Sequence, residues 1–385
     1  MNKNKIAIID LTPSVPLYDY HLMNALGEKN IDVDIFMSNK KKWFNDNSIK
    51  NKTFLLNNFI KNSNSQFILK RLFTGIIYYI NLFLTVRYII KQDYNVVHFQ
   101  WFPSLRENLW EIFFLKTLKK NGLKIVYTKH NVFPHDLEDK YKIEYKNRVN
   151  KISSYIDLFI VHTNSTKVQV IKNYTISSIK IHVVPHGIIR PKVIEEKNEF
   201  NFKKNDIVFM HFGLLSNYKG SDIVVSAFNE LCNKYSNLKL NLIGPLDENF
   251  RKKLCDLIGE NNKINFIPQY VSDELLNYYL NISNFILFPY REISQSGALL
   301  HALSYNKCII ASSLPSFVET LHSFKKNWFV NIDDIESVKN VIECIMTDQE
   351  EQELMINKVK NLRNEYSWSE IALKTNQVYK IALKK

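Results

Sequence analysis

The sequence predicts an α/β protein built from two tandem, doubly wound parallel sheets. Three observations point there. At 385 residues the chain is too long for one ordinary domain and suits two of roughly 150–200 residues. Short β-rich runs alternate with helical stretches from end to end, which is the pattern of βαβ units rather than of hairpins. A polar, charged stretch at 187–205, carrying Pro191, separates two halves that each repeat this alternation.

The first half opens on Lys5–Ile9, an apolar run read as a buried strand, and the helix Leu17–Lys29 follows. Further strands are expected at Val33–Met37, Val96–Phe99, Lys124–Thr128, Leu158–Val161 and Ile181–Val184, with a helix at Leu109–Asn121. In the second half the strands fall at Ile207–Phe212, Lys239–Ile243, Ile264–Ile267, Phe285–Leu287 and Cys308–Ala311. Helices are expected there at Ser221–Lys234, Asp273–Leu280 and Gly297–Leu303. The domains then run 1–190 and 191–365, with a last segment at 366–385. Leu72–Ile90 approaches the length of a bilayer span, but Asn81 and Arg87 interrupt it. Its place between α/β segments makes it a core or interface helix.

Composition narrows the function. With 45% hydrophobic and 23% charged residues the chain is an ordinary globular protein. The first residues lack the charged, then apolar, then small-residue pattern of a secretory leader. The four cysteines (Cys232, Cys255, Cys308, Cys344) have no paired or metal-like spacing. Both features suit the cytoplasm. The net charge of +13 is divided unequally: residues 1–190 hold 28 Lys and Arg against 14 Asp and Glu, whereas the second half is nearly neutral. A basic half gains about 1 kcal/mol per Lys or Arg close to an anionic lipid surface. No arginine-rich block or nucleic-acid-reading motif accompanies the charge, so an anionic membrane face is expected and nucleic acid is not.

Ligands of open parallel sheets bind beyond the carboxyl ends of the strands, so motifs there carry the chemistry. Directly after a second-half strand comes His211-Phe212-Gly213-Leu214-Leu215-Ser216-Asn217-Tyr218-Lys219-Gly220. Gly213 lets backbone approach a phosphate, the loop feeds a helix N-terminus, and Lys219 supplies charge for a leaving diphosphate. Alone, this is also a strand–turn–helix with a surface lysine. A second strand-to-helix turn, Phe288-Pro289-Tyr290-Arg291-Glu292-Ile293-Ser294-Gln295-Ser296-Gly297, offers an N-cap serine and exposed amides. Alone, it is also an ordinary capped helix start. Together the two loops suggest one diphosphate held across both. In the first half Thr128-Lys129-His130-Asn131-Val132-Phe133-Pro134-His135-Asp136 gathers polar groups after a strand, and Val184-Pro185-His186-Gly187 reads as a hinge. No metal site is expected: Asp32 and Asp34 fall on a strand, where both carboxylates would share a solvated face, and Asp333-Asp334 reads as a helix cap.

These motifs, in this order and spacing, resemble the retaining GT-B glycosyltransferases of family 4, over essentially the whole chain. Tyr366-Ser367-Trp368 is similar to the family's segment where the last helix crosses back to the N-terminal domain. The F-G-x-x-x-x-Y-K-G and P-Y-x-x-x-x-Q-S-G patterns are most similar to a branch working in bacterial surface-polysaccharide assembly. The resemblance implies two domains facing across a cleft, a UDP- or GDP-sugar donor on the C-terminal domain, and a lipid-linked or oligosaccharide acceptor on the N-terminal one. It implies retention of configuration with no metal and no cofactor. His130 matches the histidine lining the donor-sugar pocket and Lys219 the diphosphate-binding lysine. Together with Gly213, Ser294, Gln295, Ser296 and Gly297 match the phosphate-binding loops, and His135 and Asp136 lie on the acceptor side. Ser216 stands where the branch carries arginine. Ile293 and His301 stand where the family has paired glutamates, and Glu292 sits one place away, so Glu292 and His301 are the candidates for the ribose. Two other readings fit the same features: a degenerate, non-catalytic module that binds glycan or a partner subunit, and a nucleotide-sugar epimerase.

Overall fold

The computed structural model describes residues 4–12, 16–37, 67–134, 137–188, 202–293 and 296–385, with backbone only at 67–74. The chain forms two compact units, Met1–Gly187 with Ser367–Lys385, and Ile188–Tyr366.

The first unit contains β1 (Lys5–Asp10), α1 (Pro16–Glu28), β2 (Asp32–Met37), α2 (Phe67–Lys91), β3 (Val96–Phe99), α3 (Glu111–Lys120), β4 (Lys124–Thr128), α4 (Lys142–Ser153), β5 (Leu158–Val161), α5 (Asn164–Asn173) and β6 (Ile181–Val183). Its six strands are ordered β2-β1-β3-β4-β5-β6 and every pair is parallel. Alternation along the strands divides the core in two. Ala7 and Ile9 of β1 pack with Leu82, Val86 and Ile89 of α2. Ile6 and Ile8 face α1 on the other side.

The second unit contains β7 (Ile207–Phe212), α6 (Ser221–Lys234), β8 (Leu238–Ile243), α7 (Arg251–Ile258), β9 (Ile264–Ile267), α8 (Asp273–Ile282), β10 (Phe285–Phe288), α9 (Gly297–Ala302), β11 (Cys308–Ser312), α10 (Pro315–Thr320), β12 (Phe329–Val330), α11 (Ile335–Thr347) and α12 (Gln349–Glu365). Its order is β12-β11-β10-β7-β8-β9, again all parallel. Strand order therefore reverses between β7 and β10. That switch point is where an open α/β sheet leaves a crevice for a ligand.

The final helix, α13 (Trp368–Lys384), belongs to the first unit. Ser367 caps it by accepting the Glu370 amide. Ile371, Ala372, Val378, Tyr379 and Ala382 are buried in the cluster that holds Leu22 and Leu26 of α1 and Val96, Val126 and Leu158 of the sheet. Each large aliphatic or aromatic side chain so covered contributes about 1.5–3 kcal/mol, so α13 is part of this unit's core.

One expectation changes. Asp34 does not lie on a solvated strand face: it is 1% exposed and accepts the Tyr94 hydroxyl, which reaches it from the turn before β3. Period-2 alternation placed it correctly on the strand but could not show that Tyr94 closes over that face. The apolar 72–90 stretch packs into the core along one face, as a core or interface helix does. Tyr78, Leu82, Val86 and Ile89 form its buried stripe, while Ile76, Ile80, Phe83 and Leu84 are exposed. No helix among the described residues is long and apolar enough to cross a membrane. Asp334 caps α11 by accepting the Ser337 amide, as expected.

Candidate active site

In the second unit the loops after β7, β8 and β10 meet at backbone contact, and glycines make that possible. Gly244 (φ +141) lies against the Gly213 carbonyl, where a Cβ would stand 2.0 Å from its oxygen. Gly220 (φ +68) precedes α6 and lies against the Pro289 carbonyl, where a Cβ would stand 2.1 Å from the oxygen. Neither contact has room for any side chain. The loops are then stitched together. The Leu215 amide donates to the Pro245 carbonyl at 2.7 Å, and the Arg291 amide donates to the Tyr218 carbonyl at 2.8 Å.

Arg291 is the centre of that stitching. Its guanidinium donates to Asp222 at 2.8 and 3.1 Å, to Asp333 at 2.6 Å, and to the Asn217 carbonyl. Lys253 reaches the same Asp222 at 2.6 Å. Burial opposes ionisation of Asp222, but the Arg291 and Lys253 hydrogen bonds outweigh it and hold its pKa below the usual value. The pair fixes the loop after β10 to the first turn of α6.

Lys219 occupies the pocket these loops make. Its Nζ stands 2.7 Å from where a Cβ on Gly213 (φ +97) would be, and it lies 5.2 Å from the Tyr290 ring centroid. Among the described residues no carboxylate pairs with it, and burial alone pulls its pKa down to about 8. A half-buried ammonium without a counter-charge is a standing demand for an anion.

The other C-terminal candidates are placed as follows. Ser216 is 1% exposed, and its hydroxyl is turned to the Leu214 carbonyl at 3.4 Å. Ser296 caps α9 through the Leu299 amide at 3.1 Å, and Gly297 stands open, with no neighbour a Cβ would meet. Glu292 is exposed at the same turn, near enough to Tyr218 to add to the effect of burial in raising that phenol's pKa. His301, one turn into α9, packs on Phe212 at the end of β7, and its Nε2 lies 3.2 Å from Asn277 Oδ1 on α8. Burial lowers its pKa to about 4, so the ring is neutral. Ser294 and Gln295 lie outside the described residues, as do His135 and Asp136.

In the first unit His130 follows β4 and is 9% exposed. Its Nε2 faces Gln100 Oε1 at 3.2 Å, and its Nδ1 meets His162 Nε2 at 2.9 Å. His162 Nδ1 in turn meets the Val184 carbonyl at 3.0 Å. The Tyr18 ring packs edge-on against His130, His162 and Trp368, and Trp368 covers Gly187 so closely that a Cβ there would stand 2.4 Å from the indole. Burial, then the neighbouring imidazoles, push the His130 pKa well below its ordinary value. Lys129 points the other way, between Tyr145 and Tyr174 at 5.3 and 4.7 Å, and burial lowers it to about 7.

Sequence reasoning missed Arg291 and His162. Both carried a signal. His162 directly follows β5, in the same position after a strand that singled out His130. Arg291 sits inside a motif whose serines and glycine drew the attention.

Comparison with known proteins agrees with this architecture. The family model for group 1 glycosyl transferases matches residues 192–362, and that for glycosyltransferase family 4 matches residues 18–189. The chain is 24% identical over 287 residues to the capsular polysaccharide biosynthesis glycosyltransferase CapH of Staphylococcus aureus, covering 64% of this chain and 80% of CapH. It is 23% identical over 243 residues to a GDP-mannose:glycolipid 4-beta-D-mannosyltransferase of Xanthomonas campestris, covering 60% and 64%. Among solved structures, Anabaena HepE in complex with UDP superimposes with a TM-score of 0.68 at 13% identity, over 98% of this chain and 100% of HepE. The two Rossmann-like sheets and the paired matches define a glycosyltransferase. The chain belongs to the GT-B glycosyltransferases of family 4.

Proposed function

We propose that this enzyme moves a glycosyl unit from a UDP- or GDP-sugar to a lipid-linked or oligosaccharide acceptor, with retention, in bacterial surface-glycan assembly at the cytoplasmic face of the membrane. The observation that carries the reading is Lys219: a half-buried ammonium at the switch point, with no carboxylate paired to it among the described residues, in a pocket built by two glycine-bearing loops. A nucleoside diphosphate supplies the missing counter-charge. As the bond from the anomeric carbon to the diphosphate breaks, negative charge grows on the leaving oxygen, and a fixed cation there favours the transition state over the bound donor. The acceptor oxygen bonds to the anomeric carbon on the same face, and its proton passes to the departing diphosphate. Ser216, Ser294, Gln295, Ser296 and Gly297 line the phosphates, Glu292 and His301 the ribose, and His130 the transferred sugar; His135 and Asp136 serve the acceptor. No metal is required by a site whose cation is Lys219.

The names of the relatives support the same substrate classes, since HepE was solved with UDP and the Xanthomonas protein uses GDP-mannose and a glycolipid. The membrane part of the reading has its own support. Trp110 and Phe113, at the start of α3, are 68% and 65% exposed, and Trp110 lies 5.3 Å from Tyr79 of α2. Ile76, Ile80, Phe83 and Leu84 of α2 are exposed as well, and exposed Lys116, Lys120, Arg87 and Lys91 lie on the same two helices. Aromatics among basic residues suit an anionic bilayer surface.

Calorimetry across a panel of UDP- and GDP-sugars tests the reading. One or more should bind, and Lys219→Ala should lower turnover with that donor by about 10²–10³-fold, the usual scale for one oriented electrostatic contact. Wild-type turnover in the variant removes the role given to the lysine. Absence of binding by every donor turns the reading to the non-catalytic module.

A further inference from the structure

The chain of hydrogen bonds through His162 has a direction. A backbone carbonyl can only accept, so His162 Nδ1, 3.0 Å from the Val184 oxygen, must carry the proton. In a neutral ring that leaves His162 Nε2 bare. His130 Nδ1, 2.9 Å away, must then be the donor between them. His130, also neutral in its buried setting, is left with a lone pair on Nε2. Both rings lack room to turn: Tyr18 packs on the faces and edges of both, with ring centroids at 5.1 and 5.5 Å, and His162 is 3% exposed. The Val184 carbonyl is itself held, because the Val184 amide donates to Val161 at the end of β5.

We propose that His162 is a positioning residue for the transfer reaction, locking His130 in the Nδ1–H tautomer so that Nε2 accepts a hydrogen bond from a sugar hydroxyl. This rests on the reading of His130 as a substrate-facing group. It deepens that reading by fixing what His130 can recognise. A bare nitrogen repels phosphate oxygens and attracts O–H, so His130 reads the sugar and leaves the diphosphate to Lys219. Gln100 fits the same logic. Its Oε1 lies 3.2 Å from His130 Nε2, and its Nε2 has no partner among the described residues. Two acceptors cannot bond, so the Nδ1–H tautomer of His130 requires the Gln100 amide to be turned over from this orientation, giving its NH2 to His130 until a substrate hydroxyl replaces it.

The experiment uses the full chain with nitrogen-15-labelled histidine. Long-range proton–nitrogen spectra of the wild type at neutral pH should show His130 protonated at Nδ1 and bare at Nε2. The opposite tautomer overturns the proposal without any variant having to fold. His162→Phe keeps the ring and removes the acceptor: it should release His130 from the single tautomer and lower kcat by about 10–100-fold with KM changed less than about 3-fold, the scale of lost tautomer control and small misplacement. His162→Gln, which can still accept from His130 and donate to Val184, should restore most of the rate. In a His130→Ala background, His162→Phe should cause no further loss; an independent loss there overturns the proposal. Failure of the underlying reading looks different: His130→Ala transfers sugar at the wild-type rate, or no donor binds at all.

Discussion

Gly220→Ala is the sharpest test of how the donor pocket is built. A methyl group at position 220 would sit 2.1 Å from the Pro289 oxygen, 3.1 Å from its carbonyl carbon and 3.3 Å from its Cγ. Ordinary contacts begin near 3.4 Å, so the loops after β7 and β10 must separate by about 1 Å, and the obstacle is backbone rather than a side chain that can turn away. Position 220 also has φ +68, which costs alanine about 1–2 kcal/mol. Separation stretches the 2.8 Å Arg291–Tyr218 backbone bond and the Arg291–Asp222 ion pair, adding about 1–2 kcal/mol. The total, about 2–4 kcal/mol, corresponds to a Tm lowered by roughly 4–16 °C for a unit of this size. Misplacing the cradle by about 1 Å should cost roughly 10²-fold in turnover. Gly122→Ala is the control: φ is +77, as strained, but no atom lies within 4 Å of the new methyl. It should lose about 1–2 kcal/mol and no activity. The assays are thermal unfolding and donor-dependent sugar transfer for the two variants side by side. If Gly220→Ala keeps turnover within about threefold of Gly122→Ala, contact between the two loops does not organise the site.

Three further outcomes are expected. Trp110→Asp with Phe113→Asp should weaken sedimentation with phosphatidylglycerol vesicles by about 10–100-fold, with retention of binding showing that the apolar surface serves something else; wild-type binding should fall with added salt. His301→Ala should weaken donor binding by about 3–10-fold in calorimetry if the imidazole meets the ribose, and an unchanged Kd would discard that role. Lys129→Met should stabilise the protein. Its folded pKa, about 7, lies below the unfolded 10.5, so the unfolded chain holds a proton that the folded one sheds between those values. The penalty is full below pH 7 and fades as pH rises towards 10.5. At about 1.4 kcal/mol per pH unit the ceiling is about 5 kcal/mol, reduced by the lost contacts with Tyr145 and Tyr174 to a gain of about 1–3 kcal/mol. Denaturant titrations at pH 7 and pH 10 check it, and an equal gain at both would refute the cause.

Strand and helix placement was legible because it is local. Val96–Phe99, Leu158–Val161 and Ile264–Ile267 are apolar runs between polar turns, and the structure places strands on those residues. β12 escaped because two residues carry no period. The phosphate-type loops were legible too, since glycine and lysine at fixed spacing after a strand have few other meanings. Arg291 was not: in sequence it is one more charge beside Glu292, and its partners Asp222 and Asp333 lie 69 and 42 residues away. Asp34 was misjudged for the same reason, because Tyr94, its cover, is 60 residues distant.

What the sequence determined by itself was the alternation of buried strands and helices, the two-part organisation, and which turns carry glycine, lysine and histidine. Those follow from periodicity and backbone stereochemistry, which act over a few residues. Tertiary structure decided the surroundings of the ionisable groups: that Lys219 is half-buried with no carboxylate paired to it among the described residues, that Lys129 is held between tyrosines, and that His162 lies against both His130 and the Val184 carbonyl. Desolvation and hydrogen-bond polarity depend on groups brought together from distant parts of the chain, and only packing brings them together.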